Sequence, residues 1–475
     1  MLKKSLLVGA VVAATALSAN AQSLEERVEA LEFAGYENWW KFSGNLEYRF
    51  DAVETEYKKA YSTLTFDGST NSYAKGDKNS VKHHRIFSEL DIEAKPTDKL
   101  TFYGRLSASK AMNTLNKGGG TYVQDSAFNE LGEGMNGGNS SVFLERAFVN
   151  YSLMKNLVLS VGRLPTVEGT PAHFSEARSP MGGYPLLAFG GIFDGIALTY
   201  GHKLGGGDLT LRGIYTPFNT RNIDFGNEKF EDANGMEVDE NVDVYSLMLE
   251  FQKTNFSWVK NFHFTYQYLK FGRFNALAKA HVVTVNPSSN AVVSSKFDGN
   301  IELGLERHVL NLDLVGIAKT GLNFGVSFLK GKAEGSGNLT QTSYNNDGAT
   351  AGPTSIGTWL GSSAKEHDGD AWIFNLSYNI MKLRNATVGV EYVTIDDDAF
   401  VYDSASKNLV GQYTSRGGDA KHFYWVQPID NNFKVKFGYQ EANRKKTNYL
   451  GGFIGSTSDI DNVTKSYYSS LQFTF

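Results

Sequence analysis

The sequence predicts an all-β fold, a transmembrane barrel of sixteen antiparallel strands with long external loops and a short N-terminal helical segment. Apolar and polar residues alternate in segments of about ten residues, which is the pattern of strands that face lipid on one side and a polar lumen on the other. Short turns and long polar loops follow one another along the chain. The chain ends in one such strand, residues 463–475, with Leu471, Phe473 and Phe475 on one face. In a closed barrel the last strand pairs with the first, whereas the exposed termini of soluble domains fray.

Residues 1–21 have the features of a cleaved signal peptide. A pair of lysines at positions 3 and 4 precedes an apolar run over residues 6–17, and Ala19-Asn20-Ala21 gives the small-x-small pattern of a cleavage site. The run is shorter than the roughly twenty residues that a membrane-spanning helix needs. We therefore expect an exported protein whose fold begins after this segment.

Residues 22–38 predict a short helical segment between the signal peptide and the barrel. Leu24, Val28 and Leu31 follow the a/d spacing of a coiled coil. So short a heptad run holds chains together only where other contacts already assemble them. Two interpretations stay open: a self-associating bundle, for which a homotrimer is the expected assembly, and a solvated single helix.

From Trp39 onward the chain repeats one unit of strand, turn, strand and polar loop, so residues 39–475 form the predicted barrel. The tenth strand has the weakest pattern because its alternation changes phase between Leu305 and Leu310. The predicted strands are residues 41–54, 82–95, 99–111, 141–154, 157–164, 192–202, 208–216, 241–252, 261–272, 298–315, 321–332, 370–381, 385–396, 420–429, 431–442 and 463–475.

The lengths of the connections follow the parity of the strands. Turns after even-numbered strands are short, such as residues 96–99 and 155–156, whereas loops after odd-numbered strands are long and polar. With both termini on the turn side, this is the plan of outer-membrane barrels, and a soluble sandwich has no reason to sort its loops in this way. The aromatic final residue also resembles the assembly signal of Gram-negative outer-membrane barrels. We therefore expect a protein of the Gram-negative outer membrane, in contact with lipid and lipopolysaccharide.

The composition excludes several other classes of protein. Mean hydropathy is −0.31, which is too polar for a helical membrane protein but typical of a barrel. The chain has no cysteine, so disulfides and cysteine-ligated metals are excluded. A net charge of −5 without a basic run argues against nucleic-acid binding. Since no G-x-S-x-G motif is present, we expect neither an enzyme nor a cofactor.

Two polar clusters resemble metal sites but have simpler explanations. His83 and His84 lie on opposite faces of a strand, so both cannot bind one metal ion. Asp396, Asp397 and Asp398 have the oxygen ligands that Ca²⁺ prefers, but we interpret them as a hydrated acidic loop. We therefore expect no metal.

A sixteen-stranded barrel is too wide for its side chains to fill and leaves an aqueous lumen. The loop after the fifth strand, residues 165–191, contains four of the nine prolines and more apolar residues than the other loops, which favours a loop folded against the wall. The strand phases place one arginine from each of the first four strands on the inner face. The predicted inward residues are Arg49, Arg85, Arg105, Arg146 and Arg212, with Glu47, Asp51, Glu89, Asp91, Glu93, Glu302, Glu306 and Glu391.

Sixteen strands, a long loop after the fifth strand and an arginine ladder resemble the general trimeric porins. The resemblance implies that this third external loop bends into the lumen, where acidic loop residues face basic wall residues and set a transverse field. The loop departs from the porin pattern by its Pro180–Pro185 segment. Carried over by position, the constriction residues are Glu168, Glu176 and Arg178 of the loop, with His173 nearby, and Arg49, Arg85, Arg105 and Arg146 of the wall.

The full length is more closely similar to a porin-like family of uncharacterised bacterial proteins, the domain of unknown function 3373, which implies no substrate. We expect a homotrimeric channel that passes small hydrophilic solutes or ions passively and is narrowed by the third loop. One alternative is a substrate-specific channel in which the third loop and aromatics such as Tyr103 and Tyr184 form either a greasy track or an anion-binding track that gives anion preference. Another is a plugged structural or adhesive barrel. A fatty-acid transporter is disfavoured because no plug domain precedes the first strand.

Overall fold

The computed structural model describes the barrel and parts of its loops. The predicted signal peptide and helical segment, residues 1–38, lie outside the described residues and stay predictions. Within the described part, no helix has the length and apolar character needed to cross a membrane. The described residues are 39–64, 70–111, 139–167, 169–177, 183–219, 242–275, 279–285, 292–299, 302–336, 338–344, 350–359, 366–399, 401, 407–410, 413, 417–449 and 454–475.

Sixteen antiparallel strands form a closed ring, which confirms the predicted fold class. The strands are β1 (Trp40–Tyr57), β2 (Lys78–Thr97), β3 (Leu100–Ala111), β4 (Asn139–Met154), β5 (Leu157–Leu164), β6 (Phe193–Leu204), β7 (Gly207–Asn219), β8 (Val242–Thr254), β9 (Asn261–Asn275), β10 (Glu302–Ile317), β11 (Leu322–Ser336), β12 (Glu366–Ile380), β13 (Ala386–Ile395), β14 (Gly418–Pro428), β15 (Phe433–Tyr449) and β16 (Ile454–Thr474). Each strand pairs with its sequence neighbours, and β1 pairs with both β2 and β16. A short α-helix, α1 (His173–Glu176), lies between β5 and β6.

Three hairpins extend the strands beyond the ring, at places where the sequence predicted only polar loops. Pairing satisfies the backbone donors and acceptors of these long connections. Two of the hairpins also pair with each other, through residues 292–299 and 338–344. The hairpins join Tyr61–Leu64 to Thr70–Tyr73, Lys279–Val285 to Val292–Gly299, and Asn338–Tyr344 to Thr350–Trp359.

The ring closes through its first and last strands. The register runs from Asn45 opposite Thr474 to Tyr57 opposite Asn462. At the end of the seam, the amide of Gly44 donates to the carbonyl oxygen of Phe475 at 3.0 Å, and the amide of Phe475 donates to the carbonyl oxygen of Gly44 at 3.1 Å. The final residue is therefore part of the closing ladder.

The two faces of each strand differ in the way that the alternation predicts. On β16, Tyr467, Leu471 and Phe473 face outward and are exposed, whereas Ser470 and Gln472 face inward and are buried. Exposed apolar side chains recur around the ring, as expected of a surface covered by lipid. Members of this outer belt include Phe42, Leu46, Leu198, Leu247, Trp372, Phe374, Leu376, Phe423 and Phe437.

The change of phase predicted in the tenth strand does not occur. In β10, Leu305, Arg307 and Val309 all face inward and are buried. Glu306, predicted to face inward, lies on the other face beside His308, and its side chain is 43% exposed. The sequence pattern changes phase because two inward positions are apolar, and a loop inside the lumen covers them.

Candidate functional site: the lumen and two inserted loops

Loop 3 spans residues 165–192, and its described part crosses the lumen from β5 to the opposite wall. Its helix α1 places Phe174 in a buried cluster with Tyr424 and Val426 of β14. The Nζ atom of Lys434 on β15 donates to the carbonyl oxygen of Glu176 at 3.3 Å. The far end of the described loop therefore rests on β14 and β15, which agrees with the inward bend that the porin resemblance implies.

The second half of loop 3 packs against an apolar wall formed by inward residues of β6 to β13. Leu187 and Phe189 are buried there, and the ring centroids of Phe189 and Phe271 lie 5.0 Å apart. Burying a Leu or Phe side chain of this kind contributes roughly 1.5–3 kcal/mol. The inward members of this apolar wall include Ala197, Ile214, Val244, Leu269, Phe271, Leu305, Val309, Leu329, Ala371, Ile373 and Val393.

Arg307 lies inside this apolar wall and holds the loop 3 backbone. Its Nη1 atom donates to the carbonyl oxygens of Leu187, at 3.3 Å, and of Ala188. Its Cζ atom lies 5.9 Å from the ring centroid of Phe189. A buried guanidinium needs such acceptors, because an unsatisfied buried donor is costly. Arg307 therefore adds polar contacts to the apolar packing that positions the second half of loop 3.

Loop 7 spans residues 396–417, and its described residues also enter the lumen, a feature that the sequence analysis did not predict. Ala399, Val401 and Val410 are buried in the same apolar cluster as loop 3. The hydroxyl of Tyr413 donates to the carboxylate of Glu391 on β13. The apolar residues of this otherwise polar loop are the sequence signal for its insertion. The same argument, that apolar composition favours a loop folded against the wall, predicts the packing of loop 3.

The four predicted wall arginines all lie on the inner face of β1 to β4 and are buried. Asp51 lies between two of them, with its oxygens 2.9 Å from Arg49 and 2.7 Å from Arg85. Arg105 donates to Asp91 at 2.6 Å, and Arg146 lies 3.4 Å from Glu145. Each of these arginines thus has a carboxylate partner on the wall itself. We call this set the charged wall: Glu47, Arg49, Asp51, Arg85, Glu89, Asp91, Arg105, Glu145 and Arg146.

Of the predicted constriction residues of the loop, Glu176 lies in the described part, and its partner there is a lysine instead of a wall arginine. Glu176 forms an ion pair with Lys436 of β15, and Lys436 lies 3.9 Å from Glu47 of the charged wall. Glu168 and Arg178 lie outside the described residues. The alternation of β15 places Lys436 on the inner face, and this is the sequence signal that identifies a lysine among the wall cations.

His173 approaches a third group of polar residues. Its Nε2 atom lies 3.6 Å from Asp313 of β10. The same carboxylate contacts Nδ1 of His263 at 3.1 Å, and the other ring nitrogen of His263 contacts Glu250 at 2.8 Å. Loop 3 is therefore held at α1 by polar contacts to both β10 and β15.

The clusters that resembled metal sites have other partners. His84 faces outward, with its Nδ1 atom 2.6 Å from the hydroxyl of Tyr48. Asp396 accepts a hydrogen bond from the amide of Asp370 at 3.1 Å, and Asp398 lies 3.2 Å from His367. In the described residues, no group of three or more His, Asp or Glu side chains is arranged to hold a metal ion.

We expect the contact between Glu176 and Lys436 to persist in mild acid and to be lost only below pH 4.5. Burial opposes ionisation of Glu176, but the ammonium groups of Lys436 and Lys407 outweigh it and hold the pKa of that carboxyl below its ordinary value of 4.5. A lowered folded-state pKa gives stability that is present above the unfolded pKa and is lost as the pH falls through the folded pKa. The measurement is the rate of proteolysis in loop 3 from pH 7 downward.

Glu176→Gln should remove this acid transition, because an amide does not titrate. Glu366→Gln is the matched control, since Glu366 pairs with Lys332 at 3.3 Å and is 64% exposed. A transition that is unchanged in Glu176→Gln would show that another group controls the acid response of the loop.

The chain is similar in sequence to one protein family and has similarity to several solved structures. A family model described as a protein of unknown function, DUF3373, matches residues 75–473. No curated protein matches significantly. Solved structures with similarity include OprB of Pseudomonas putida, with 10% identity, a TM-score of 0.44 and coverage of 94% of this chain and 96% of that chain.

Two further solved structures have similar values. OmpF of Salmonella typhi in complex with daunomycin has 12% identity, a TM-score of 0.45 and coverage of 92% of this chain and 97% of that chain. An anion-selective porin from Comamonas acidovorans has 8% identity, a TM-score of 0.42 and coverage of 92% and 99%. At these values neither a solute nor a residue role transfers to this chain.

Proposed function

Because this chain belongs to the DUF3373 family, whose description names no activity, we propose a function from its lumen: a passive outer-membrane channel for small hydrophilic solutes or ions. The charged wall is the observation that carries the proposal. Ionisable side chains at membrane depth are costly and mark pathways for ions or polar solutes. Loop packing can be achieved largely with apolar residues, as it is around Leu187 and Phe189 on the side of β6 to β13, so packing alone does not account for the charged wall.

The outer surface supports a membrane location for this channel. Its apolar side chains recur on strands around the whole ring, and water-facing strands would leave them unprotected. A predicted signal peptide supplies the route of export. Lipid and lipopolysaccharide are the proposed surroundings, and a homotrimer stays the proposed assembly. Passive flow needs neither a cofactor nor catalytic turnover.

A plugged barrel is the second candidate, and burial of the charged wall favours it. Asp51 is 0% exposed and Arg85 is 1% exposed. Loop 7 contacts this wall, since Nη2 of Arg85 donates to the carbonyl oxygen of Lys407 at 2.7 Å. In a plugged barrel these contacts between loop 7 and the charged wall would block the lumen permanently. In a channel, ions or solutes would pass alongside these contacts or while the contacts are open.

Single-channel conductance of the purified protein in planar bilayers, recorded in KCl with a salt gradient, tests the proposal. Stepwise openings are expected, in groups of three for a trimer, and the reversal potential reports the ion preference. Saturable flux of one solute would indicate the substrate-specific alternative. A correctly folded barrel that never conducts, even at high applied voltage, would overturn the channel in favour of the plugged barrel.

A further inference from the structure

The described part of loop 7 extends from β13 across the lumen to the charged wall, which it contacts through Lys407. It leaves β13 at a turn in which the amide of Ala399 donates to the carbonyl oxygen of Asp396 at 3.1 Å. Lys407 then lies against β1 and β2, which are separated from β13 around the ring by β14, β15 and β16. A loop that followed the rim would not make these contacts.

The ammonium of Lys407 lies between two carboxylates of the charged wall. Its Nζ atom is 3.2 Å from Glu47 and 3.1 Å from Glu89. It also lies 5.3 Å from the ring centroid of Phe87, within cation–π range. Only 15% of the Lys407 side chain is exposed, so solvent screens these charges weakly.

Other cations near these two carboxylates are more distant. Lys436 lies 3.9 Å from Glu47, and Arg105 lies 3.9 Å from Glu89. Lys407 is thus the nearest cation to both among the described ion pairs. Loss of its charge leaves Glu47 and Glu89 less compensated on the wall that solutes would pass.

We propose that Lys407 is a specificity-determining residue of a second lumen constriction formed by loop 7, where it suppresses cation preference by compensating Glu47 and Glu89. This inference rests on the proposed channel function. It assigns to loop 7 a role in selectivity that is separate from the packing of loop 3. Two contacts that do not involve the ammonium, from Arg85 to the backbone of Lys407 and from Tyr413 to Glu391, keep loop 7 attached when the charge is removed.

Lys407→Met therefore should change ion preference more than conductance. The permeability ratio of K⁺ to Cl⁻ is expected to rise roughly three- to ten-fold, because two carboxylates lose their nearest cation. The measurement is the reversal potential in a KCl gradient across a planar bilayer. Lys330→Met is the matched control, because Lys330 is 66% exposed and lies 4.0 Å from Asp370, away from the charged wall.

A second variant keeps the test decisive if Lys407→Met folds poorly. The chain has no cysteine, so Lys407→Cys introduces a single thiol. Labelling that thiol with a positively charged methanethiosulfonate should restore the original reversal potential, and a negatively charged reagent should move it further towards cation preference.

The outcomes separate the inference from the function on which it rests. If Lys407→Met and the unlabelled and negatively labelled Lys407→Cys channels all conduct with the original reversal potential, the role of Lys407 is overturned and the channel function stays intact. An original protein that does not conduct would overturn both. A shift towards cation preference in Lys407→Met and in unlabelled Lys407→Cys, which the positive label reverses in the cysteine variant, would support the proposal.

Discussion

Gly44→Val is expected to prevent closure of the barrel. Gly44 lies on β1 at the end of the closing seam, where it exchanges two backbone hydrogen bonds with Phe475. A Cβ atom at this position would overlap the ring of Phe475 and lie 2.5 Å from the carbonyl oxygen of Glu89 on β2. The ring can turn away, but the backbone of β2 cannot move without opening the ladder. Since ordinary overpacking already costs about 1–3 kcal/mol, we expect a larger loss at this seam.

The shift of the folded species on unheated electrophoresis gels measures this effect. Gly44→Val should give little or no folded band in outer-membrane fractions. Gly213→Val is the matched control, because Gly213 also faces outward in a strand and has nothing within 4 Å of its Cβ position. A normal yield of folded Gly44→Val would contradict the tight approach of β1 to β2 and Phe475.

Much of the fold was predictable because strand periodicity and loop length are local properties of the sequence. Alternation alone identifies the outward face of β16, with Tyr467 and Leu471, and its inward face, with Ser470. The regular succession of short turns and long loops then predicts that the strands form a closed antiparallel ring. The same local pattern was insufficient in the tenth strand, where inward Leu305 and Val309 are apolar because loop 3 covers them.

The contacts that shape the lumen were much less predictable. Periodicity indicates the face on which a residue lies but not its partner, so it placed the wall arginines inward without showing that Asp51 lies between Arg49 and Arg85. The partners of Glu176 and Lys407 depend on the path of a loop across the lumen. Such contacts join residues far apart in the chain, and loops have no period from which to infer them.

Loop 3 depends on a close approach between its two halves, at Gly169. A Cβ atom there would overlap the carbonyl oxygen of Tyr184 and lie 3.0 Å from the backbone nitrogen of Pro185. Next to it, the amide of Leu186 donates to the carbonyl oxygen of Thr170 at 2.8 Å. Because both neighbours of the added methyl group are backbone atoms, a change of rotamer cannot relieve the overlap. The segment that carries Leu187 and Phe189 must shift from the apolar wall.

Gly169→Ala should therefore leave the barrel folded but widen its lumen. We expect single-channel conductance to rise roughly two-fold or more, with noisier openings, because the conducting cross-section is set at the narrowest point. Gly201→Ala is the control, since nothing lies within 4 Å of its Cβ position. Arg307→Met should act in the same direction by a different route, because it removes the donors that hold the carbonyl oxygens of Leu187 and Ala188.

Gly169→Ala and Arg307→Met together determine whether loop 3 narrows the pore. If both raise conductance while the folded band on unheated gels stays normal, the inserted loop limits flow and the barrel wall stands without it. If both leave conductance at the level of Gly201→Ala, ions pass at a place that loop 3 does not control. In that case the constriction would have to lie along the charged wall, where the carbonyl oxygen of Lys407 accepts the hydrogen bond from Arg85.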